Sequence, residues 1–247
     1  MSLLHDIVDT TRDTIRAGYY RPTGDLKLAP SLVKAIDAAK KAGRRAIIAE
    51  LKPATPTKGK LIAGGLEAYA KRFVDEGACA LSVLTEPKHF HGSLSNLRMA
   101  VKLGLPVLMK DFIIAEEQID CAAHHGAAAV LLIASILPRS RLHTLIEYCR
   151  IAEREVVVEV ASPKEYQEAM ASDADLVGIN NRDLRSFQVD LNRTLSIAGG
   201  AEKEKPVISL SGFTKREELD RVAGVADAFL VGSSLLDGTT SVKELLG

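Results

Sequence analysis

Residues 128–160, AAVLLIASILPRSRLHTLIEYCRIAEREVVVEV, decide the fold. The stretch opens on an apolar run, Ala128–Ile133, and closes on a β-branched one, Val156–Val160; each has the length of a buried strand. Between them, Arg141–Ala152 carries apolar residues at helical spacing. Neither run alternates polar with apolar residues, so both faces of the sheet they form must be covered. Strand, helix and covered strand make a βαβ unit with parallel strands.

The same unit recurs in both directions. Further strand-like runs lie at Ala46–Glu50, Ala80–Thr85, Pro106–Lys110, Leu176–Asn180, Pro206–Ser211 and Ala228–Val231, starting about 20 to 34 residues apart. Helical spacing fills the gaps at Leu66–Glu76, Leu94–Leu103, Glu116–His125, Pro163–Ala171 and Lys215–Val222. Ser162 before Pro163 reads as a helix start, Thr214 with Glu217 as a capping box, and Gly77, Gly104 and Gly126 as helix ends. Eight such units predict an α/β fold, a (β/α)8 TIM barrel. A doubly wound sheet would usually open on a GxGxxG loop, and the chain has none. No linker or low-complexity segment divides residues 1–247, which read as a single barrel domain. Residues 1–45 hold helical stretches near Leu3–Arg16 and Ser31–Ala42, expected to form an N-terminal extension capping one end.

Composition narrows the function classes. The chain has 247 residues, 32 basic and 32 acidic side chains and no net charge, which argues against a general nucleic-acid binder. Its apolar runs are too short to span a membrane, and the N-terminus lacks a signal-peptide core. Three cysteines, Cys79, Cys121 and Cys149, form no CxxC pair and read as small core residues in a reducing, cytoplasmic setting.

In barrels of this class the active site lies at the C-terminal ends of the strands. Those ends carry Glu50 and Lys52, Thr85 and Glu86, Lys110 and Asp111, Glu159, Asn180 and Arg182, Ser211–Gly212, and Gly232–Ser233–Ser234. Any one has a plain reading: Glu50 and Lys52 as an ion pair, Asn180 or Asn181 as a turn residue, Arg182 and Asp183 as a surface salt bridge. Two lysines and two glutamates aimed at one mouth are harder to explain that way, because such groups shift one another's pKa values and separate acid from base. Glycines after the seventh and eighth strands suit a phosphate, with Thr55-Pro56-Thr57-Lys58-Gly59 offering hydroxyls and a lysine nearby. Phe90 and Phe112 offer a flat apolar wall for an aromatic substrate. His89 and His91 beside Glu86 lack a third clear metal ligand.

These residues resemble the indole-3-glycerol phosphate synthases of tryptophan biosynthesis over nearly the whole chain. The likeness is carried by Ile48-Ala49-Glu50-Leu51-Lys52, Ser82-Val83-Leu84-Thr85-Glu86, Leu108-Met109-Lys110-Asp111-Phe112, Val158-Glu159-Val160, Gly178-Ile179-Asn180-Asn181-Arg182-Asp183-Leu184 and Gly232-Ser233-Ser234. It implies a carboxy-lyase that turns a phosphorylated, anthranilate-derived sugar into indole-3-glycerol phosphate without cofactor or metal. Lys110 would be the general acid and Glu159 the acid–base partner, with Glu50, Lys52, Asn180 and Ser211 completing the catalytic set. Phe90, Phe112, Leu131 and Leu184 would pack the aromatic ring, Arg182 a polar group, and Thr55, Gly212, Gly232 and Ser233 the phosphate.

One position departs from the resemblance. Leu210 stands before Ser211-Gly212, where the family typically has a glutamate. Activity is still expected, since the other charged groups are present. The competing readings are a Schiff-base aldolase or lyase using Lys110 or Lys52 on a phosphorylated sugar, and a non-catalytic phosphate-binding barrel, which Leu210 favours.

Overall fold

The computed structural model describes residues 3–55, 59–60, 65–183 and 188–247. Eight parallel strands close into a barrel: β1 (Ala46–Leu51), β2 (Ala80–Leu84), β3 (Val107–Lys110), β4 (Ala129–Ile133), β5 (Glu155–Val160), β6 (Leu176–Asn180), β7 (Val207–Leu210) and β8 (Ala228–Val231). Each strand neighbours the next in sequence, and β1 closes the ring by pairing with β8, Ala46 opposite Ala228. The expected (β/α)8 barrel is therefore present, with every strand end within one residue of its predicted place.

Helices cover the outside: α3 (Leu66–Asp75), α4 (Leu94–Val101), α5 (Glu116–His125), α6 (Arg139–Ile151), α7 (Pro163–Met170), α8 (Asn192–Ala198), α9 (Arg216–Val222), α10 (Ser233–Leu236) and α11 (Val242–Leu246). Outward residues such as Ile47, Ala49, Val83, Met109, Val158 and Ile179 pack against them, while Ala46, Ile48, Leu108, Leu131, Val157, Ile208 and Leu230 fill the barrel. This two-residue alternation explains the near-continuous apolar runs. Ser162 caps α7 as expected, its side chain accepting from the Glu165 N–H. The Thr214–Glu217 capping box is corrected. Helix α9 starts one residue later, and Glu218 accepts from the Thr214 and Lys215 N–H groups.

The N-terminal helices α1 (Leu3–Arg16) and α2 (Leu32–Lys41) sit at opposite ends of the barrel, where one capped end was expected. Strands β1, β2, β4 and β8 begin with alanine, which leaves room at the bottom for Leu32, Ile36 and Ala39 of α2 in the inner core. Glu155, at the start of β5, accepts from Ser31 and from the Leu32 and Val33 N–H groups; Lys40 pairs with Asp227 ahead of β8. At the other end, Ile7 of α1 joins Phe112 and Ile133, and Thr10 Oγ1 lies 3.3 Å from His89 Nε2. After α1 the chain buries Tyr20, whose hydroxyl donates to Asp111 Oδ2 at 2.9 Å. Thr85 donates to the same oxygen at 2.5 Å, and the Phe112 N–H to Oδ1 at 2.8 Å. The extension is thereby fastened beside Lys110.

Burial pushes the Asp111 carboxyl up from 3.8 to about 6, although hydrogen bonds from Thr85, Phe112 and Tyr20 oppose the shift. A carboxyl with a raised folded pKa favours folding most below its unfolded pKa, and loses that contribution as pH climbs through about 6. Asp111→Asn should gain on the parent by about 2 kcal/mol between pH 4.5 and 7.5. Urea unfolding of both proteins at the two pH values measures this. A pH-independent difference would show that Asp111 is not the group responsible.

Candidate active site

The alternation that points Ile48, Leu108, Val157 and Leu176 inward also turns Glu50, Lys110, Glu159 and Asn180 into the mouth, at the C-terminal ends of β1, β3, β5 and β6. Glu50 is buried. Lys52 donates to its Oε1 at 2.6 Å, and Lys110 Nζ lies 3.7 Å from its Oε2. Burial alone would raise the Glu50 pKa, but the ammoniums of Lys52 and then Lys110 outweigh it and hold the carboxyl below its ordinary value.

Glu159 behaves in the opposite way. Its Oε1 accepts from Asn180 Nδ2 at 3.1 Å, while Oε2 is buried and has no hydrogen-bond partner among the described residues. Burial raises its pKa; Lys110, Asn180 and Arg193 oppose that rise, and the charge of Glu50 adds to it. One mouth thus holds a carboxylate kept ionised and a carboxyl pushed toward its protonated form.

Beside this pair a cleft of about 290 Å³ is lined by Glu50, Lys52, Arg182, Ser211, Gly212, Gly232 and Ser233, among others. The sequence points to all seven of these as site residues; Val189, Phe213, Thr214, Leu230, Asp237 and Thr239 line the cleft too and carry no such signal. Ser211 and Gly212 are both left-handed, with φ of 70° and 96°. A Cβ on Gly212 would overlap Val189, in the loop after β6. Ser211 is held in place because its carbonyl accepts from Asn181 Nδ2 and its N–H donates to the Leu230 carbonyl. Gly232 precedes α10, whose first N–H groups have no partner inside the helix.

Phe90 and Phe112 stand on the other flank, ring centroids 5.9 Å apart, with Leu131 buried in the same inner core. Glu86 accepts from the Lys88, His89 and Phe90 N–H groups, so its carboxylate shapes the loop that carries Phe90. Thr55 is placed through its backbone, paired with Gly59 in a two-residue antiparallel ladder. Pro56, Thr57, Lys58 and Leu184 lie outside the described residues.

Sequence reasoning missed a buried polar hub behind the rim. Asn181 Nδ2 donates to Ser209 Oγ at 3.0 Å, Thr194 Oγ1 donates to Asn181 Oδ1 at 2.8 Å, and the two hydroxyls lie 2.6 Å apart. Of these, only Asn181 lies where strand-end reasoning looks. Arg193, next to Thr194, was missed as well.

Residues 4–245 match the family model described as indole-3-glycerol phosphate synthase. A protein of that name from Methanocaldococcus jannaschii is 41% identical over 216 residues, covering 86% of this chain and 80% of its own. The chain belongs to the indole-3-glycerol phosphate synthase family. A second member, from Aquifex aeolicus, is 40% identical over 208 residues, covering 81% of each chain. Members of this family are carboxy-lyases of tryptophan biosynthesis. Among solved structures, tryptophan synthase subunit alpha from Legionella pneumophila superposes with a TM-score of 0.62 at 13% identity, over 86% of this chain and 95% of that one. That likeness shows a shared barrel and nothing of activity.

A methyl group at Gly232 would sit 2.7 Å from Glu50 Oε1 and 3.1 Å from Lys52 Nζ. Gly232→Ala should therefore displace the pair and lower kcat/KM at least about 10-fold, with a stability loss of about 1–3 kcal/mol. Steady-state kinetics beside a thermal melt would measure both, and unchanged kinetics would detach Gly232 from the site.

Proposed function

We propose that this chain converts 1-(2-carboxyphenylamino)-1-deoxyribulose 5-phosphate to indole-3-glycerol phosphate, with release of carbon dioxide and water. Family membership supports the overall reaction; the opposed states of Glu50 and Glu159 carry the assignment of roles. The ring carbon bearing the carboxylate attacks the ketone carbon, and Lys110 gives a proton to the ketone oxygen as negative charge grows there. Carbon dioxide leaves, and its bonding pair returns to the ring. The hydroxyl made from the ketone oxygen then departs as water with a second proton from the lysine pair. Glu159 accepts the proton released from the adjacent carbon, with Asn180 holding the carboxylate in line.

Binding follows the geography of the mouth. Gly212, Gly232 and Ser233 offer backbone N–H groups to the phosphate, Thr55 a hydroxyl, and Arg182 a charge. Phe90, Phe112, Leu131 and Leu184 hold the aromatic ring against the sugar, which brings the two reacting carbons together. Glu50 fixes Lys52 and Lys110 facing the ketone oxygen and the substrate carboxylate, and Ser211 shapes the turn after β7 on the phosphate side. The partner is a small phosphorylated molecule rather than a nucleic acid, and the setting is the cytoplasm. No helix among the described residues is long and apolar enough to cross a membrane.

The test is incubation with the carboxyphenylamino substrate while indole fluorescence is followed against a protein that has no tryptophan. Turnover is expected, with Lys110→Met and Glu159→Gln each losing at least about 10²-fold in kcat. Either variant retaining parental kcat removes that residue from its role.

Activity is expected despite Leu210. A silent parent protein awakened by Leu210→Glu would overturn that expectation, and phosphate-ligand binding with no turnover in either protein would favour the non-catalytic barrel.

A further inference from the structure

Arg193 has no place in the residue set assigned above, yet its guanidinium bridges the two loops that frame Glu159. Nη1 lies 3.2 Å from Asp183 Oδ2, three residues after Asn180, and Nη2 donates to the carbonyl of Ala161, two residues after Glu159, at 3.3 Å. Its own backbone is fixed. The Arg193 N–H donates to the Asp190 carbonyl, and the next residue, Thr194, is locked into the buried hub with Asn181 and Ser209. Nε is buried and has no hydrogen-bond partner among the described residues, so the guanidinium is not consumed by the bridge. Among the described residues, the buried carboxyl oxygen without a hydrogen-bond partner is Glu159 Oε2.

We propose that Arg193 is a positioning residue for Glu159: it ties the loop after β5 to the loop after β6 and keeps a positive charge behind the carboxyl, so that Glu159 is held in place and can act as a base. This rests on the reading of Glu159 as the proton acceptor.

The groups facing Glu159 are Lys110 from β3, Glu50 from β1, Asn180 from β6 and Arg193 from the first turn of α8. Burial is the largest influence on Glu159, and Glu50 reinforces it. Lys110, Asn180 and Arg193 work against both. Lys110 already shares its charge with Glu50 at 3.7 Å. Arg193 acts on Glu159 from the loop side, and Asp183 partly offsets its charge. Removing the cation leaves Glu159 protonated to higher pH, while removing Asp183 strengthens its action.

The experiment is the pH profile of kcat for the full chain with the carboxyphenylamino substrate, in four variants. Glu159→Gln should abolish the acidic limb together with most of kcat, which assigns that limb to Glu159. Arg193→Gln retains a donor for the Ala161 carbonyl but loses the charge. It should move the limb upward by about half to one pH unit, with kcat at the limb falling about 3- to 10-fold and KM changing less than about 2-fold. Arg193→Lys should restore the parental limb. Asp183→Asn should move it the other way, and so tests the charge even if Arg193→Gln does not fold.

A limb unmoved by both Arg193→Gln and Asp183→Asn, or Arg193→Lys behaving like Arg193→Gln, overturns the role of Arg193. Full activity in Glu159→Gln would instead overturn the reading of Glu159 itself.

Discussion

Everything in the site depends on how β1 closes the barrel. This strand pairs on both sides, Ile48 opposite Ala80 of β2 and Ala46 opposite Ala228 of β8. Side chains alternate with a period of two, so a slip of one residue in either ladder would turn Glu50 out among the helices and bring Ala49 or Leu51 into the mouth. The alanines at the strand starts and the plug of Leu32 and Ile36 from α2 make that slip costly, since each buried aliphatic side chain contributes about 1.5–3 kcal/mol. The apolar bottom therefore fixes the polar top. Glu155 and Asp227 complete the lower fastening, where they bind the first and last turns of α2.

Once Glu50 points inward, the electrostatics follow from its neighbours. Lys52 is two residues further along the same strand direction, and Lys110 arrives from β3, so a buried carboxylate faces two ammoniums. Its charge is thereby compensated and stays in place. Glu159 has an amide and a more distant share of positive charge, which is too little to cancel its burial. Two carboxyls of the same chemistry thus acquire different resting states through placement alone, as separation of acid and base roles requires. A zero net charge over the chain conceals this concentration of charge at one rim.

What the sequence made legible divides along a physical line. Strands could be read because each is buried on both faces and leaves an unbroken apolar run, and site residues on strands could be read because they are polar residues ending such runs. Glu50, Lys110, Glu159 and Asn180 are of this kind, and so are the glycines after β7 and β8. Helices α8, α10 and α11 are short and gave no periodic signal over enough residues. Long-range polar partners were also invisible. Nothing at Tyr20 announces that its hydroxyl meets Asp111, 91 positions away. Nor does Arg193, one of 32 basic residues, announce that α8 aims it between two loops. The Thr214–Glu217 reading failed because Lys215 and Glu218 satisfy the same spacing, and only backbone geometry chooses between them.

The departure at residue 210 acquires a physical meaning in this frame. Leu210 is fully buried and opposes Asn180 across the β6–β7 ladder. A Cβ at Gly178 would meet its Cδ1 at 2.8 Å while lying 3.8 Å from the Glu159 Cα, so the leucine occupies the space that glycine leaves beside Glu159. A hydrocarbon there excludes water from one side of the carboxyl and adds to the burial that raises its pKa. A carboxylate there would also raise it, through like charge, but would demand a partner of its own in a mouth where Glu50 already engages both lysines. Both residues push Glu159 in the same direction by different means, and leucine does so without adding an ion to be compensated. Lys110, which is shared with Glu50, and Arg193, which is held by the loops on either side, draw Glu159 back.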